Sequence, residues 1–274
     1  MNIQSTVPLN NGIPIPWLGL GVYQSEPGDE TRTAVRWAIE AGYRHVDTAA
    51  FYGNEESVAQ GIRDSGIDRS EIFVTTKLWN DDHGYDRVMT AFDESRRRLD
   101  CDVIDLFLIH WPMKGKYLDS WRAFEKLYAD EKIRAIGVSN FLEVHLEPLL
   151  ADFDVVPAVN QVEWHPRVLQ RPLVDFCRSK GIQFQAWSPL GRAKYLDDPT
   201  LTTIAERHGK SPAQVLIRWD LEHEVVTIPK SVTRERIVSN ADVFDFSLSA
   251  DEIASIDALD RDERFGPHPL EFCG

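Results

Sequence analysis

The feature that most constrains the fold is a repeated alternation of short apolar runs with amphipathic segments. Several of the eight runs are apolar throughout, which is typical of strands that are covered on both faces. The segments between them carry apolar residues at helical spacing. The predicted strands are 17–20, 44–47, 72–76, 103–109, 133–138, 158–162, 183–186 and 225–228. The predicted helices are 31–41, 55–64, 85–99, 120–130, 172–179 and 212–222.

Eight strand–helix alternations within 274 residues predict an α/β fold, a closed (β/α)8 TIM barrel. An open, doubly wound parallel sheet shows the same alternation and is the alternative. Residues 2–15 predict an N-terminal hairpin, and the residues after Asp260 form a short C-terminal tail. Because no linker rich in Pro, Gly or Ser divides the chain, we expect a single domain over residues 1–274.

Charge and composition exclude several classes of partner. The net charge of −14 argues against nucleic acid, because phosphate binding needs a basic surface. No apolar run approaches the roughly 20 residues that cross a membrane, and the N-terminus lacks the pattern of a secretory signal. Three widely spaced cysteines, Cys101, Cys177 and Cys273, predict no metal site and a reducing compartment, the cytoplasm. We expect Cys273 to be the exposed one, because it lies beside the terminus.

Polar side chains collect where the predicted strands end. In a closed parallel barrel these ends form one face, which is where catalytic residues lie. A single polar residue after a strand is as readily a surface loop residue, but a set of this size points to a site. The residues concerned are Asp47, Lys77, His110, Ser139, Asn140, Gln161, Ser188 and Lys230.

Four residues of this region suit general acid catalysis. Lys77 and His110 each end a run that should be buried, Asp47 ends another, and Tyr52 lies in the loop that follows Asp47. A phenol has an ordinary pKa of about 10 and therefore needs a neighbour to act near neutral pH. We expect the Lys77 ammonium to lower the pKa of Tyr52, with Asp47 holding that lysine in place.

Six motifs in the same order resemble the aldo-keto reductase superfamily. They are GYRHVDTAAFYGNEESV, VTTKLWN, VIDLFLIHWP, IRAIGVSNF, NQVEWHP and IPKSVTRERIVSN, which lie between Leu18 and Asn240. The length, the short segment after His110 and the C-terminal RFGPHPLEF resemble the prokaryotic and protozoan branch. That branch includes 2,5-diketo-gluconate reductases, glyoxal and methylglyoxal reductases, and prostaglandin F synthase.

The resemblance implies a (β/α)8 barrel that reduces aldehyde or ketone carbonyls of small substrates with NADPH. NADH is the less favoured donor. The resemblance also makes Asp47, Tyr52, Lys77 and His110 a catalytic tetrad. In this tetrad Tyr52 is the general acid, and His110 hydrogen-bonds the carbonyl oxygen. Most members of the superfamily are monomers, and we expect the same here.

The resemblance also implies a cofactor site without a Rossmann domain. Ser139, Asn140 and Gln161 would bond the carboxamide, and Trp187 would stack on the nicotinamide ring. The loop residues Ser188, Leu190 and Gly191 would wrap the pyrophosphate. The adenine end would rest on Lys230, Ser231, Val232, Thr233, Arg236 and Asn240.

Lys230 and Arg236 supply the physical reason to favour NADPH, because two cations suit a 2′-phosphate. Ser239 and Thr233 depart from the family pattern at the adenine end of the cofactor site. We expect Arg234 to lie on a solvent-exposed helix face. The expected substrate pocket is aromatic and poor in cations, which favours small or amphipathic carbonyl compounds. Its predicted members are Tyr23, Phe51, Trp79, His110 and Trp111, with Phe272 as a further candidate.

Two other functions are weighed against this one. Tyr128 and Lys132 have the spacing of a short-chain dehydrogenase pair, but the glycine-rich fingerprint of that class is missing. A non-catalytic NADPH-binding sensor or structural protein on the same fold is the alternative of a different class. Turnover of any aldehyde would distinguish it from a reductase.

Overall fold

An N-terminal hairpin covers the end of the barrel at which the parallel strands begin. In a computed structural model, which describes residues 1–273, β1 (Thr6–Pro8) pairs antiparallel with β2 (Pro14–Pro16). Ile15 is fully buried there and packs with Leu106 and other apolar side chains of the barrel interior. The predicted N-terminal hairpin is therefore confirmed, with its second strand ending at Pro16.

Eight parallel strands follow, and they form one sheet in sequence order. Single bridges join Leu18 to Thr227 and Gly21 to Lys230, and Gly19 N–H donates to the Thr227 carbonyl at 2.9 Å. The first and last strands are thereby connected, which closes the sheet and confirms the barrel over the open alternative. The strands are β3 (Leu20–Gly21), β4 (His45–Asp47), β5 (Phe73–Leu78), β6 (Ile104–Ile109), β7 (Ile133–Ser139), β8 (Val159–Glu163), β9 (Gln183–Trp187) and β10 (Val226–Thr227).

Helices cover the outside of the sheet. All six predicted helices are present, and α4 begins a turn earlier than predicted because the Tyr117 ring packs edge-on against Phe141 at 5.2 Å. The helices are α1 (Asp29–Glu40), α2 (Glu55–Asp64), α3 (Tyr85–Arg98), α4 (Tyr117–Ala129), α5 (Glu143–Asp152), α6 (Arg171–Ser179), α7 (Pro199–His208), α8 (Pro212–Glu222), α9 (Arg234–Ala241), α10 (Ala250–Asp257) and α11 (Pro269–Phe272).

The core between the sheet and the helices is rich in aromatic rings. Phe107 of β6 stacks on Phe124 of α4 with ring centroids 4.7 Å apart, and Trp164 stacks on Trp219 of α8 at 5.3 Å. Trp219 is fully buried. Burying one such side chain contributes roughly 1.5–3 kcal/mol, so these pairs fix the helices against the strands and keep the strand ends in register.

The C-terminal tail corrects one expectation. Cys273 is buried, with 4% of its surface exposed, because the tail folds back and Lys114 N–H donates to the Cys273 carbonyl. The partly exposed cysteine is Cys101. Within residues 1–273, no helix is both long enough and apolar enough to cross a membrane.

A buried carboxylate joins three elements at the end of the barrel remote from the polar strand ends. Asp105 of β6 accepts hydrogen bonds from Arg134 at 2.7 Å, from Arg69 at 3.0 Å and from the Val74 N–H at 3.0 Å. Its side chain is only 6% exposed. The carboxylate therefore links β5, β6 and β7 and satisfies a buried backbone donor.

Replacing Asp105 by alanine should lower the free energy of unfolding by about 2–4 kcal/mol, because the Val74 N–H and two guanidinium groups lose their acceptor. Urea unfolding followed by circular dichroism measures the change. Asp102→Ala is the matched control, since the Asp102 carboxylate is fully exposed beside Arg96 and should contribute little. Equal losses in the two variants would contradict this role for Asp105.

Candidate active site

The carboxyl ends of β4, β5 and β6 bring the four predicted catalytic residues together. Asp47 is the last residue of β4, Lys77 lies near the end of β5, and His110 directly follows β6. Tyr52 ends a short 3-10 turn, Ala50–Tyr52, that follows β4. The parallel arrangement of the barrel places these ends side by side, as the sequence predicts.

The loop that carries Tyr52 is held by buried side-chain hydrogen bonds. The Asn54 amide donates to the carbonyls of Val22 and Ser25 at 3.0 and 3.2 Å, and it accepts from the Thr48 hydroxyl at 2.8 Å. Gly53 adopts a φ of 67°, a conformation that favours glycine. The turn is thus fixed on both sides of the phenol.

Lys77 is the centre of the polar cluster. Its side chain is fully buried, and its Nζ donates to Asp47 Oδ1 at 2.6 Å and to the Thr48 carbonyl at 2.8 Å. A third contact joins Nζ to the Tyr52 hydroxyl at 3.4 Å. The other oxygen of Asp47 accepts from Gln161 Nε2 at 2.6 Å. The ammonium therefore has three oxygen neighbours, of which one is the phenol.

The electrostatics of Tyr52 differ from the sequence-based expectation. Burial raises its pKa well above the ordinary value of 10.0, and the negative charge of Asp47 raises it further. The expected lowering of the Tyr52 pKa by Lys77 is wrong, because burial of the phenol and the charge of Asp47 together raise it. Tyr52 therefore holds its proton as a neutral O–H group, which is the form that a proton donor needs.

His110 presents a neutral imidazole beside the phenol. Burial lowers its pKa well below 6.5, and the nearby Lys77 lowers it further. Its ring meets that of Tyr52 edge-on with centroids 5.8 Å apart. The His110 Nδ1 atom is buried and has no protein partner among the described residues. A neutral imidazole with one nitrogen protonated can donate one hydrogen bond and accept another.

The predicted carboxamide site is a connected hydrogen-bond network. The Ser139 hydroxyl donates to the Gln161 carbonyl at 2.7 Å, and the Asn140 amide donates to the His110 carbonyl at 3.0 Å. The Asn140 Oδ1 atom accepts from the Trp187 indole N–H at 2.8 Å. These residues are therefore fixed before any ligand binds, and the network ties the indole plane of Trp187 to the tetrad.

The predicted pyrophosphate loop follows β9. Ser188 has a φ of 52°, and the Gly191 N–H already donates to the Ser188 carbonyl at 2.8 Å. Pro189 has no N–H group, so Ser188 and Leu190 are the remaining backbone donors of this loop. A methyl group on Gly191 would lie 2.2 Å from the Tyr195 ring, which explains why the loop needs glycine there.

The predicted adenine site combines free cations with a helix N-terminus. Lys230 and Arg236 are exposed, and among residues 1–273 neither forms an ion pair. Arg234 Nη2 lies 4.0 Å from Glu40 Oε2. Ser231 and Asn240 are buried, Val232 is partly buried, and Thr233 caps α9 without a side-chain hydrogen bond. Uncompensated cations and open helix N–H groups suit a phosphate, so the residues fit the NADPH that the motifs imply.

Aromatic rings surround the mouth above the tetrad. Phe51 stacks on Trp79 with ring centroids 3.7 Å apart, and Trp79 meets His110 edge-on at 5.2 Å. Trp111 is nearly buried and packs against Phe272 of the tail at 4.5 Å. The ring centroids of Tyr23 and Tyr52 lie 4.9 Å apart. The structure thus brings all the predicted pocket residues to one opening, including Phe272.

Two contributors to this region were missed by the sequence predictions. Thr48 supplies a carbonyl oxygen to Lys77, which residue type alone does not reveal. Glu163 ends β8 next to the mouth and is fully buried. It shares the signal that identified the others, a charged residue closing an apolar strand. By contrast, Tyr128 lies at the end of α4, and Lys132 lies in the exposed turn between α4 and β7.

No group of three or more His, Cys, Asp or Glu side chains is arranged to hold a metal ion in the described part of the chain. The polar cluster at the mouth consists instead of one carboxylate, one ammonium, one phenol and one imidazole. Such a set can donate a proton and hold an oxygen atom in place.

Comparison with known proteins agrees with this geometry. The Aldo/keto reductase family model matches residues 18–261. The chain is 56% identical to the glyoxal reductase of Bacillus subtilis (strain 168) over 270 residues, which are 98% of either chain. It is 52% identical to the 9,11-endoperoxide prostaglandin H2 reductase of Trypanosoma cruzi (strain CL Brener), covering 97% of this chain and 95% of the relative.

A solved structure of a mutant of Gox0644 in complex with NADPH has a TM-score of 0.94 and 44% identity. The match covers 97% of this chain and 98% of that one. The predicted superfamily, and the resemblance to its bacterial and protozoan reductases, are confirmed. The chain belongs to the aldo/keto reductase family and is an oxidoreductase.

Proposed function

We propose that this protein reduces small aldehydes and ketones to alcohols with NADPH, using Tyr52 as the general acid, and that residues 1–274 form one catalytic domain. The observation that carries the proposal is the contact of the Tyr52 hydroxyl with the buried Lys77 ammonium at 3.4 Å, where that ammonium is tied to Asp47. A phenol placed this way can release a proton to a neighbouring oxygen and be stabilised as the anion.

The proton transfer follows from the charges around the phenol. A carbonyl carbon that gains a hydride leaves negative charge on its oxygen, and Tyr52 donates its proton to that oxygen. The phenolate that remains lies beside the Lys77 ammonium, which stabilises it. A proton from solvent then restores the phenol. Asp47 keeps the ammonium in place throughout, since their 2.6 Å contact is fully buried.

Neutral His110 positions the substrate. Its imidazole donates one hydrogen bond to the carbonyl oxygen and thereby fixes that oxygen near the Tyr52 hydroxyl. Bound NADPH supplies the hydride. Its holding residues would be Ser139, Asn140, Gln161, Trp187, Ser188, Leu190, Gly191, Lys230, Ser231, Val232, Thr233, Arg236 and Asn240, and the NADPH complex of Gox0644 supports this choice of cofactor.

The pocket favours small carbonyl compounds without a strong negative charge. Its walls are the aromatic rings of Tyr23, Phe51, Trp79 and Trp111, and none of these four side chains carries a positive charge. The glyoxal reductase at 56% identity supports a small dicarbonyl as substrate. Methylglyoxal, a nitrobenzaldehyde and a diketo sugar acid therefore form a suitable test set, in which we expect the acid to be the poorest substrate.

Replacing Tyr52 by phenylalanine should lower kcat with methylglyoxal by about two to four orders of magnitude, because the proton donor is lost while the ring remains. Its Kd for NADPH should stay within twofold of the wild type. Cofactor absorbance measures turnover, and calorimetry measures binding. Tyr128→Phe is the matched control, since that hydroxyl lies outside the barrel near Asn11 and should not affect kcat.

Equal turnover in wild type and Tyr52→Phe would remove Tyr52 as the acid. Binding of NADPH without turnover of any of the three carbonyl compounds by the wild type would favour a cofactor-sensing or structural protein. A parallel loss of NADPH affinity and turnover in the variant would mean that the phenol contributes to binding rather than to chemistry.

The rate of reduction should be nearly independent of pH between about pH 6 and about pH 9, because the raised pKa of Tyr52 keeps the phenol protonated across this range. Oxidation of the alcohol product with NADP+ needs the deprotonated phenol. That rate should therefore rise about tenfold per pH unit until the pKa is reached. Steady-state rates in both directions over a pH series measure this, and a reduction rate that falls above neutral pH would contradict it.

Replacing Arg236 by alanine should raise the KM for NADPH about tenfold and leave the KM for NADH unchanged, because only NADPH carries the 2′-phosphate that a guanidinium would bind. Arg234→Ala is the matched control on the same helix, and the Arg234 side chain lies near Glu40. Equal effects of the two variants on NADPH, or an equal effect on both cofactors, would assign Arg236 no role in selecting the phosphate.

A further inference from the structure

The side chain of Glu163 binds the C-terminal tail. Glu163 is the last residue of β8, and its carboxylate is fully buried. Its Oε1 accepts from the Phe265 N–H at 2.6 Å and from the Gly266 N–H at 3.1 Å, and the His165 Nε2 atom lies 3.1 Å from the same oxygen. A buried carboxylate is therefore satisfied mainly by the backbone of a segment some 100 residues further along the chain.

Additional contacts hold the same short stretch of tail against the mouth of the barrel. The Phe265 ring stacks on His165 with centroids 4.8 Å apart, and the Lys194 ammonium lies 4.1 Å from the centroid of the Phe265 ring. The Glu263 N–H donates to the Arg167 carbonyl at 2.8 Å. The tail is thus attached both to the β8 end and to the loop that follows β9.

This attachment places Gly266 against the proposed nicotinamide platform. Glu163 and Trp187 are register partners on the neighbouring strands β8 and β9. A methyl group built on Gly266 would lie 2.4 Å from Cη2 of the Trp187 indole and 3.2 Å from Cζ3. The backbone of the tail therefore contacts the edge of the indole so closely that no larger residue fits there without moving the ring.

We propose that Glu163 is a positioning residue for the cofactor: it holds Gly266 against the edge of Trp187 and so fixes the indole on which the nicotinamide ring stacks. The indole is then held at two points, by the Asn140 hydrogen bond at its N–H and by the tail at its opposite edge. This inference rests on the proposed role of Trp187 in binding NADPH. It assigns a function to a carboxylate that takes no part in proton transfer.

Two variants separate the parts of this arrangement. Glu163→Ala removes the acceptor for two tail N–H groups, whereas Gly266→Ala keeps the acceptor and displaces the indole directly. Glu263→Ala is the matched control, because Glu263 lies in the same tail and its exposed carboxylate forms no hydrogen bond or ion pair within residues 1–273. Each full-length variant is compared with wild type by calorimetric titration with NADPH and by limited trypsin digestion.

We expect Glu163→Ala and Gly266→Ala each to raise the Kd for NADPH about tenfold, and Glu263→Ala to stay within twofold. The double variant should be no weaker than about tenfold in total, because both changes act through one contact. Trypsin should cleave Glu163→Ala after Arg261 or Arg264 faster than wild type or Glu263→Ala. If Glu163→Ala fails to fold, Gly266→Ala still tests the contact with Trp187.

An unchanged Kd in Gly266→Ala, or a Glu163→Ala tail as resistant to trypsin as wild type, would overturn the proposal. Multiplying effects in the double variant would also overturn it, since the two residues would then act independently. If wild type binds no NADPH, the proposed function itself fails and the cofactor role of Glu163 falls with it. The trypsin comparison separately decides whether Glu163 holds the tail.

Discussion

The buried pair of Asp47 and Lys77 is the interaction on which the mouth of this barrel depends. An ammonium with no exposed surface would be costly to bury alone, and the carboxylate at 2.6 Å makes its charge tolerable. Because Gln161 donates to the other Asp47 oxygen, the same pair also orients the predicted carboxamide site. The proposed proton donor and the proposed cofactor site therefore share one buried ion pair.

The closed parallel sheet brings the residues of this cluster together. Asp47, Lys77 and Gln161 belong to β4, β5 and β8, which are separated in sequence yet end at the same face. The network continues from Gln161 through Ser139 and Asn140 to the indole of Trp187. An open sheet would hold β4 and β8 apart, because three strands separate them, and would lose the contact between Asp47 and Gln161.

Periodicity located the strands and the polar residues at their ends, and the family motifs implied the closed barrel over the open sheet. The sequence did not predict properties that depend on the tertiary environment of a residue. The pKa of Tyr52 rises because the phenol is buried and lies near the Asp47 carboxylate, and neither burial nor that distance can be read from the sequence. Cys273 is buried by a tail whose path no local pattern reveals. Glu163 was missed because the predicted strand stopped one residue before it.

The N-terminal hairpin covers the end of the barrel where the strands begin, and the C-terminal tail lies against the opposite end, where the strands finish. Synthesis on the ribosome therefore delivers the hairpin before the barrel strands and the tail after them. A chain that has just completed β10 already carries all four tetrad residues, but the glycine beside Trp187 is still to be made. The order of translation thus makes the proposed cofactor platform complete only after the barrel has its last strand.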